Sequence, residues 1–346
     1  MSDKRYLGNI ITDTPTAPAN NFETTSAAGV WSLAEAFAYT KAGLWPTAGN
    51  VNVRMVIQNG RPAGNITSVM ESIQVAVLGN SVDFGDIAVE ADKAWKNASG
   101  ASSTRGVIAG GNSNNSAIQY STIATGGNTV NFGTLASIGR EGLSGSSNGV
   151  IAIFAGGENS GVRDTGDQVT ISTTGNSTNF GDLRTRVYEH ASCGSNSRAI
   201  MAGGRNSGGS TINEIQYYTY ASQGTSQDFG DLTEVKKEFS GASNSTRGVF
   251  SGNEASTNTY DYITIATTGN AVDFGDMRLG PINGLRAASS STRCVWAGGN
   301  EDSTGTDIYT RIDYVEIATT GNGLDFGTLT TGAYRGTAFS NGHGGL

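Results

Sequence analysis

The chain has few of the residues that metal sites and covalent crosslinks require. It contains two cysteines and two histidines among 346 residues. Cys193 and Cys294 fall at different points of the internal repeat described below, so we expect two buried thiols and no disulfide between them. His190 and His343 have no neighbour at metal-ligand spacing. The composition therefore predicts no disulfide framework, no metal site and no cofactor.

Charge is also scarce, and its balance is acidic. Charged residues make up 15% of the chain, and the formal net charge is −8. A nucleic-acid groove needs clustered lysine and arginine, and no such run occurs. No apolar stretch approaches the ~18 residues of a membrane span, and the start MSDKRYLGNI lacks the pattern of a signal peptide. We therefore expect no nucleic-acid binding, no membrane insertion and no secretion by a signal peptide.

Glycine, by contrast, is abundant, with 50 residues, and one glycine-containing motif recurs six times. In segments such as ATTGNAVDFGD, a phenylalanine follows a glycine by five residues. These phenylalanines are Phe84, Phe132, Phe180, Phe229, Phe274 and Phe326, at intervals of 48, 48, 49, 45 and 52 residues. A period near 50 is typical of a repeat architecture. Apolar residues keep the same phase in every unit, which argues against a disordered chain.

Each unit contains four short β-like segments, named A to D. In the fifth unit they are KKEFSGASNS, TRGVFSGN, NTYDYITIATTGN and AVDFGDM. Segment B ends in a glycine pair or a near equivalent, as at Gly110-Gly111. The Gly-Asn between segments C and D predicts a two-residue hairpin turn. The phenylalanine of segment D is predicted to pack between neighbouring sheets, where its burial contributes about 1.5–3 kcal/mol.

The glycine pair and the aromatic residues of segments C and D resemble the kelch repeat, over roughly residues 50–346. This chain departs from that repeat in two respects. Phenylalanine replaces the usual tryptophan, and Ser72 and Gln168 replace the segment-C tyrosine in two units. The resemblance implies an all-β protein, a six-bladed kelch-like β-propeller preceded by a short N-terminal extension.

The two ends of the repeat indicate how the ring closes. The first unit begins at segment B (VNVRMVIQNG), and the last residues, GAYRGTAFSNG, have the pattern of a segment A. The C-terminal segment is therefore predicted to supply the missing strand of the first blade, which closes the ring. The predicted domains are residues 1–50, outside the repeat, and residues 51–346, the propeller closed by its C-terminal strand.

The N-terminal fifty residues contain the segment GVWSLAEAFAYTKAGLWPTAGN. Ser32 with Glu35 has the pattern of a capping box and Gly43 that of a helix stop, so one short helix is expected from about Leu33 to Ala42. Tryptophan and tyrosine are favoured interface anchors. The residues predicted to form an anchoring interface are Trp31, Phe37, Tyr39, Leu44 and Trp45. Packing of this segment against a blade is the alternative.

The B–C loops are the predicted binding loops. They vary in length and sequence and share one face with the D–A loops, whereas the A–B and C–D turns are alike from unit to unit. A rigid scaffold with divergent loops on one face is a common way to build a binding surface. Unconstrained drift of surface loops is the alternative. The candidate binding residues are Glu158, Arg163, Arg205, Asn206, Glu301, Asp302, Asp307 and Tyr309.

A second resemblance spans nearly the whole chain. The segments that carry it are RYLGNIIT, GVWSLAEAFAYTKAGLWP and YITIATTGNAVDFGDM. They resemble virion structural proteins of tailed bacteriophages, above all those of marine and cyanobacterial hosts. The resemblance implies a virion component that assembles in the host cytoplasm in multiple copies. It also implies that the N-terminal segment attaches to the particle and that the repeats form the outward module.

These observations together predict a non-enzymatic tail-fibre or adhesin component whose loop face contacts a host-surface glycan or protein. The alternative is a capsid, neck or tail accessory protein that contacts other virion proteins. No nucleophile elbow, zinc-protease motif or phosphate-binding loop occurs. Acids that recur in unit after unit are interpreted as structural. A third alternative is a glycan-degrading propeller that uses loop-face acids, because glycosidases need a pair of carboxyl groups.

Overall fold

The computed structural model describes residues 53–61, 67–88, 94–252, 257–278, 280–301 and 307–346. The chain divides into two units, Met1–Asn52 and Val53–Leu346, and every described residue lies in the second. Several predictions fall outside the described residues. They are the helix from about Leu33 to Ala42, the binding residue Asp302, and the anchoring residues Trp31, Phe37, Tyr39, Leu44 and Trp45.

Six four-stranded antiparallel sheets in the described residues form the blades of a β-propeller, as the sequence predicts. Strands are given from the axis outward. Blade I consists of β26 (Thr337–Ser340), β1 (Arg54–Gln58), β2 (Val69–Gln74) and β3 (Val82–Asp86). Blade II consists of β4 (Ala98–Ala101), β5 (Arg105–Ala109), β6 (Ala117–Thr122) and β7 (Val130–Thr134). Blade III consists of β8 (Ser144–Ser147), β9 (Ile151–Ala155), β10 (Thr165–Thr170) and β11 (Thr178–Asp182).

The other three blades have the same construction. Blade IV consists of β13 (Ala191–Gly194), β14 (Arg198–Ala202), β16 (Glu214–Thr219) and β17 (Gln227–Asp231). Blade V consists of β18 (Ser240–Ser243), β19 (Arg247–Ser251), β20 (Thr259–Thr264) and β21 (Val272–Asp276). Blade VI consists of β22 (Arg286–Ser289), β23 (Arg293–Ala297), β24 (Arg311–Glu316) and β25 (Leu324–Thr328). Two loop segments also pair, β12 (Val187–Tyr188) with β15 (Arg205–Asn206). Within the described ranges the secondary structure contains no α-helix, hence none that could span a membrane.

The innermost strands close the ring around a central axis. Each of them, β4, β8, β13, β18, β22 and β26, contacts the next, and β26 contacts β4. Strand β26 pairs antiparallel with β1, with Phe339 opposite Val56. The last strand in the sequence therefore completes the first blade. Segment A of each unit is the innermost strand, and segment B, with its glycine pair, is the second.

The recurrent phenylalanine packs between blades, which confirms its predicted role. Six hydrophobic clusters each lie between two successive blades, and each contains one of these six side chains. None of the six is more than 5% exposed. In four blades the segment-C tyrosine meets the phenylalanine edge-on, with ring centroids 5.8–6.1 Å apart. Such aromatic pairs stabilise by about 0.5–1.5 kcal/mol beyond the burial of their area.

An arginine at the start of segment B joins each of five blades to the next. Arg105 lies over the ring of Tyr120, 4.2 Å from its centroid, and its Nη1 donates to the carbonyls of Ile171 and Ser172 in blade III. The same bond to the next blade recurs at Arg54, Arg198, Arg247 and Arg293. Blade III carries Ile151 at this position. One guanidinium therefore stacks within its own blade and makes charge-assisted hydrogen bonds to its neighbour.

The Gly-Asn between segments C and D is not a two-residue hairpin turn, so that prediction is wrong. Seven residues, 123–129 in blade II, separate the two strands. The Gly127 N–H donates to the Phe84 carbonyl of blade I at 2.7 Å, and Asn128 Oδ1 accepts from the Asp86 N–H. The bond from glycine to phenylalanine recurs at all six junctions between blades. The motif therefore serves a contact with the preceding blade, which no local pattern reveals.

The glycine after each phenylalanine allows the same close approach. A Cβ built on Gly133 would lie 2.1 Å from the carbonyl oxygen of Gly175 in the next blade. The other five glycines at this position meet the neighbouring backbone at 2.0–2.5 Å in the same way. Because real Cβ atoms do not come so near a carbonyl, any larger residue there would push two blades apart.

A matched pair of substitutions tests this junction. Gly133→Ala should reduce the free energy of unfolding by about 1–3 kcal/mol, because the new methyl group must displace backbone of blade III. Gly175→Ala, on the other side of the same contact, meets no atom within 4 Å and should leave stability nearly unchanged. Neither glycine has a positive φ. Urea unfolding of both variants measures the difference, and equal losses would contradict the proposed steric cause.

Two truncations test closure of the ring. A chain that ends at Arg335 lacks β26 and leaves β1 without its inner partner, so its cooperative unfolding transition should be lost or strongly lowered. A chain that ends at Ser340 keeps the strand and should retain most of the stability. Differential scanning calorimetry measures both. A soluble Arg335 truncation with the full-length transition temperature would refute closure by the C-terminal strand.

Candidate functional site

A channel follows the axis of the ring between the innermost strands. Its narrow middle is lined by the second residue of each of these strands, namely Ser99, Gly145, Ser192, Gly241, Ala287 and Ala338. The cavity on the D–A side of this level measures about 140 Å³, and the cavity on the A–B side about 70 Å³. Hydroxyls of the wall are bonded to backbone, as at Ser192 Oγ, which donates to the Gly145 carbonyl at 2.6 Å.

The A–B end of the channel is covered by residues 341–346. His343 Nε2 lies 2.8 Å from the carbonyl oxygen of Ala101. Gly344 and Gly345 pass so close to the A–B turns that a Cβ would meet carbonyl oxygens at 2.3 Å and 2.0 Å. In the described part of the chain, the D–A end is therefore the end at which a ligand can approach the larger cavity.

Six residues encircle the D–A end of the channel, and we call this ring the mouth. Each stands just before an innermost strand in left-handed backbone conformation, with φ between 54° and 65°. Each N–H donates to the carbonyl of the preceding member, so six bonds of 2.6–2.9 Å close a circle. The members are Lys96, Gly142, Glu189, Glu238, Gly284 and Arg335.

Four of these left-handed positions carry long charged side chains. Glycine adopts this conformation freely, whereas another residue costs on the order of 1–3 kcal/mol. The fold therefore accepts strain at four points of the mouth and places a charge at each. Backbone strain of this kind clusters at binding and catalytic sites.

The charged side chains of the mouth form ion pairs. Lys96 and Glu189 pair on either side of Gly142, and Arg335 and Glu238 pair on either side of Gly284. Lys96 Nζ lies 2.9 Å from Glu141 Oε1 and 3.3 Å from Glu189 Oε1. Arg335 makes two hydrogen bonds to Glu238, of which that from Nε measures 2.7 Å. Burial lowers the pKa of Lys96, but the hydrogen bond to Glu141 and the charge of Glu189 outweigh it, and the pKa is raised.

Two of the predicted loop residues join this network. Glu158 forms an antiparallel bridge with Glu141, and Arg205 Nε lies 3.6 Å from Glu189 Oε2. Burial raises the pKa of Glu158; Lys96 opposes this, and the charges of Glu141 and Glu189 add to it. Charged side chains from B–C loops and from the mouth thus form one cluster.

Two other predicted residues serve their own loops. Arg163 Nη2 donates to the Asn159 carbonyl at 2.6 Å, within the B–C loop of blade III. Asn206 Oδ1 accepts from the N–H groups of Gly208 and Ser210. These contacts stabilise loop conformation.

The predicted residues of blade VI form a separate cluster. The Tyr309 hydroxyl donates to Glu301, and this hydrogen bond is the first cause of the raised pKa of Tyr309. The Asp307 carbonyl accepts from the Glu301 N–H at 3.1 Å. The Arg311 guanidinium lies 4.9 Å from the centroid of the Tyr309 ring.

Sequence reasoning did not identify the charged members of the mouth. One signal was available in the sequence. Four charged residues occupy the same position of the repeat as Gly142 and Gly284, namely Lys96, Glu189, Glu238 and Arg335. A position that is either glycine or a long charged residue indicates left-handed backbone near solvent. Without the fold, nothing shows that these residues, spread over 240 positions from 96 to 335, meet around one axis.

Groups suited to metal binding do not converge in the described part of the chain. No three histidine, cysteine or acidic residues there are placed to hold an ion. Both cysteines are free and buried, as predicted. The recurrent acids of segment D lie on the outermost strands, and Asp86, for example, accepts from the Ser68 hydroxyl.

Comparison with known proteins supports the fold. No protein-family model and no curated protein matches the chain. Among solved structures, YjhT is similar over 71% of this chain and 87% of its own, with a TM-score of 0.59 and 11% sequence identity. YjhT is also a propeller. At this identity, the likeness shows the fold alone.

His190, which follows Glu189 of the mouth, makes a pH-dependent contribution to stability. It is 5% exposed, and in the described residues neither ring nitrogen has a hydrogen-bond partner. Burial, aided by the charge of Arg140, lowers its pKa from 6.5 to about 3. Between these values the unfolded state binds a proton that the folded state does not. The free energy of unfolding should therefore fall as the pH is lowered from about 6.5 toward 3.

His190→Leu should remove this part of the pH dependence, because Leu143 and Leu285 occupy the same phase in other blades. Urea unfolding at several pH values between 7 and 4 measures the pH dependence of the free energy of unfolding for both proteins. A slope against pH as steep as that of the unsubstituted protein would show that other groups cause the acid loss.

Proposed function

We propose that this chain is a virion structural protein of a tailed bacteriophage, and that its mouth face contacts the host surface as part of a tail fibre or adhesin. The virion assignment is supported by the motifs RYLGNIIT, GVWSLAEAFAYTKAGLWP and YITIATTGNAVDFGDM. The ligand is a surface glycan or protein, and the other partners are virion proteins.

The observation that carries the binding role is the set of charges held in left-handed conformation around the mouth. Glycine at all six positions would close the same circle of backbone bonds without strain. Lys96, Glu189, Glu238 and Arg335 stand there instead, with 4–20% of each side chain exposed. A recognition role accounts for the cost, since arranged charges give specificity and steer encounter.

The construction of the ring suits a binding platform. Backbone contacts at all six junctions and arginine contacts at five of them hold the blades in register. The B–C loops beside the mouth differ from blade to blade. Divergent loops on a rigid frame allow recognition to change while the frame stays the same.

A specific observation also favours the architectural alternative. The first residue of the outermost strand is an exposed aliphatic in four blades that are consecutive in the ring, V, VI, I and II. These side chains are 50–62% exposed: Val272, Leu324, Val82 and Val130. Blades III and IV carry Thr178 and Gln227 there. An apolar arc on the perimeter suits contact with a tail, neck or capsid protein.

The carboxyl groups in and beside the mouth favour the enzymatic alternative. Glu158 has a raised pKa beside other carboxylates, which is the environment of a glycosidase acid. Release of reducing sugar from host polysaccharide tests it. The proposal of a non-enzymatic protein predicts no release.

Adsorption measurements test the host-contact role. Full-length protein should bind host cells and compete with phage adsorption. Arg205→Gln removes a charge beside the mouth and should weaken the competition. Thr319→Gln, at an exposed position of a C–D loop on the opposite face, is the matched control and should compete as well as the original protein. Equal loss in both variants, or no competition by the original protein, would contradict the proposal.

Cryo-electron microscopy of the purified virion tests the location. We expect density for this chain on a tail fibre or the distal tail, with the mouth facing outward. Density on the capsid or neck, with the mouth covered by neighbours and the apolar arc in contact, would support the architectural alternative instead.

A further inference from the structure

Three cations converge on one tryptophan at the edge of the mouth. The charged groups of Arg61, Lys96 and Arg335 lie 5.5 Å, 5.2 Å and 5.9 Å from the centroid of the Trp95 ring. Trp95 directly precedes Lys96, and Arg61 is joined to Tyr334, the neighbour of Arg335, by two backbone hydrogen bonds of 3.0 Å and 3.1 Å. This corner of the mouth, formed by blades I and II, therefore gathers three cationic side chains around one indole.

The corner contains donors that the described protein leaves unused. Lys96 and Arg335 have carboxylate partners, whereas within the described ranges the guanidinium of Arg61 faces the indole and no carboxylate. The Trp95 Nε1–H likewise finds no acceptor among described residues. The like charges of Lys96 and Arg335 also repel one another, although Glu141 and Glu189 outweigh this repulsion at Lys96. An anion between these groups would satisfy the donors and relieve the repulsion.

Carboxylate acceptors lie beside the cation Lys96. Glu141 and Glu189 are paired with Lys96, so neither offers an uncompensated charge to a ligand ammonium group. A carboxylate has about four lone-pair sites, and an ion pair leaves some of them available to hydroxyl donors. A ligand that matches both the cations and these acceptors therefore has one anionic group and several hydroxyls.

The space behind the mouth limits the size of the ligand. The cavity measures about 140 Å³, below the ≈300–1,000 Å³ of sites that enclose drug-sized molecules. Its wall at the narrow level consists of small residues such as Ser99 and Ser192. One sugar unit at the end of a chain suits this space, whereas a longer segment must remain outside.

We propose that the mouth binds a terminal sugar bearing a carboxylate or sulfate group. Arg61, Lys96, Arg335 and the Trp95 Nε1–H hold the anion, and Glu141 and Glu189 accept hydroxyl hydrogen bonds. This inference rests on the proposed host-contact role, because it names the chemical class of the glycan at the same face.

Calorimetric titration of the full-length protein with small probes tests the site. Glucuronate or glucose 6-sulfate should bind, and the preferred one identifies the anion. Glucose, which has the hydroxyls alone, should bind more weakly by about tenfold or more. Raising the salt concentration should weaken binding of the anionic sugars, since screening acts on partly exposed charges.

Two variants localise the binding. Arg61→Gln removes the cation that has no carboxylate partner in the described protein, and it should weaken binding of the anionic sugar about tenfold. Arg184→Gln, at an exposed arginine that pairs with Glu214 and Asp228 of blade IV, is the matched control and should leave affinity unchanged. Trp95→Phe keeps an aromatic ring and removes the Nε1–H, so it provides a second measurement if Arg61→Gln unfolds. Thermal unfolding of each variant verifies the fold.

Several outcomes would overturn the inference. They are equal affinity for glucose and glucuronate, no loss of affinity with Arg61→Gln or Trp95→Phe, or inorganic sulfate bound as tightly as the anionic sugars. Host-cell binding without binding of any anionic sugar refutes this inference and leaves the proposed function standing. Binding of the anionic sugars without competition for phage adsorption supports the sugar site and refutes the proposed host-contact function.

Discussion

The close approach of backbones between neighbouring blades is the constraint on which the rest of this structure depends. At each junction a glycine N–H donates to the carbonyl of the buried phenylalanine in the preceding blade, and a second glycine leaves room for the carbonyl that comes nearest. Phenylalanine burial supplies the apolar driving force at the same place. The backbone groups and the phenylalanine at each blade edge find their partners in the neighbouring blade. The ring is therefore stable as a whole, and its closure by β26 is part of that stability.

The mouth is a consequence of this closure. Six chain segments that leave the outer strands return to the axis together, and their last residues join in a circle of backbone hydrogen bonds. That circle fixes the backbone and leaves the side chains free to vary. Charge could therefore be introduced at Lys96, Glu189, Glu238 and Arg335 without disturbing the frame. A ring that is stabilised by the junctions between its blades can carry backbone strain around its axis.

Polarity is distributed unevenly over the molecule, which separates two kinds of surface. Cations gather around Trp95 at one corner of the mouth, and carboxylates pair with Lys96 beside them. The perimeter carries an aliphatic arc over four blades and polar residues over the other two. Recognition of a charged, hydroxyl-rich ligand at the mouth and protein contact at the perimeter are compatible, since the two surfaces do not share residues.

The repeat in the sequence was sufficient to predict six blades and the burial of the phenylalanines, because a side chain needed in every blade recurs at one phase. It could not predict the role of Gly127, since the partner of that glycine lies in another repeat. Glu158 and Arg205 were predicted as loop residues, but their meeting with Lys96 and Glu189 depends on closure of the ring. The sequence by itself determined the unit and the number of its copies. Tertiary structure alone decided which charges face one another, because that depends on how six separate returns of the chain converge on one axis.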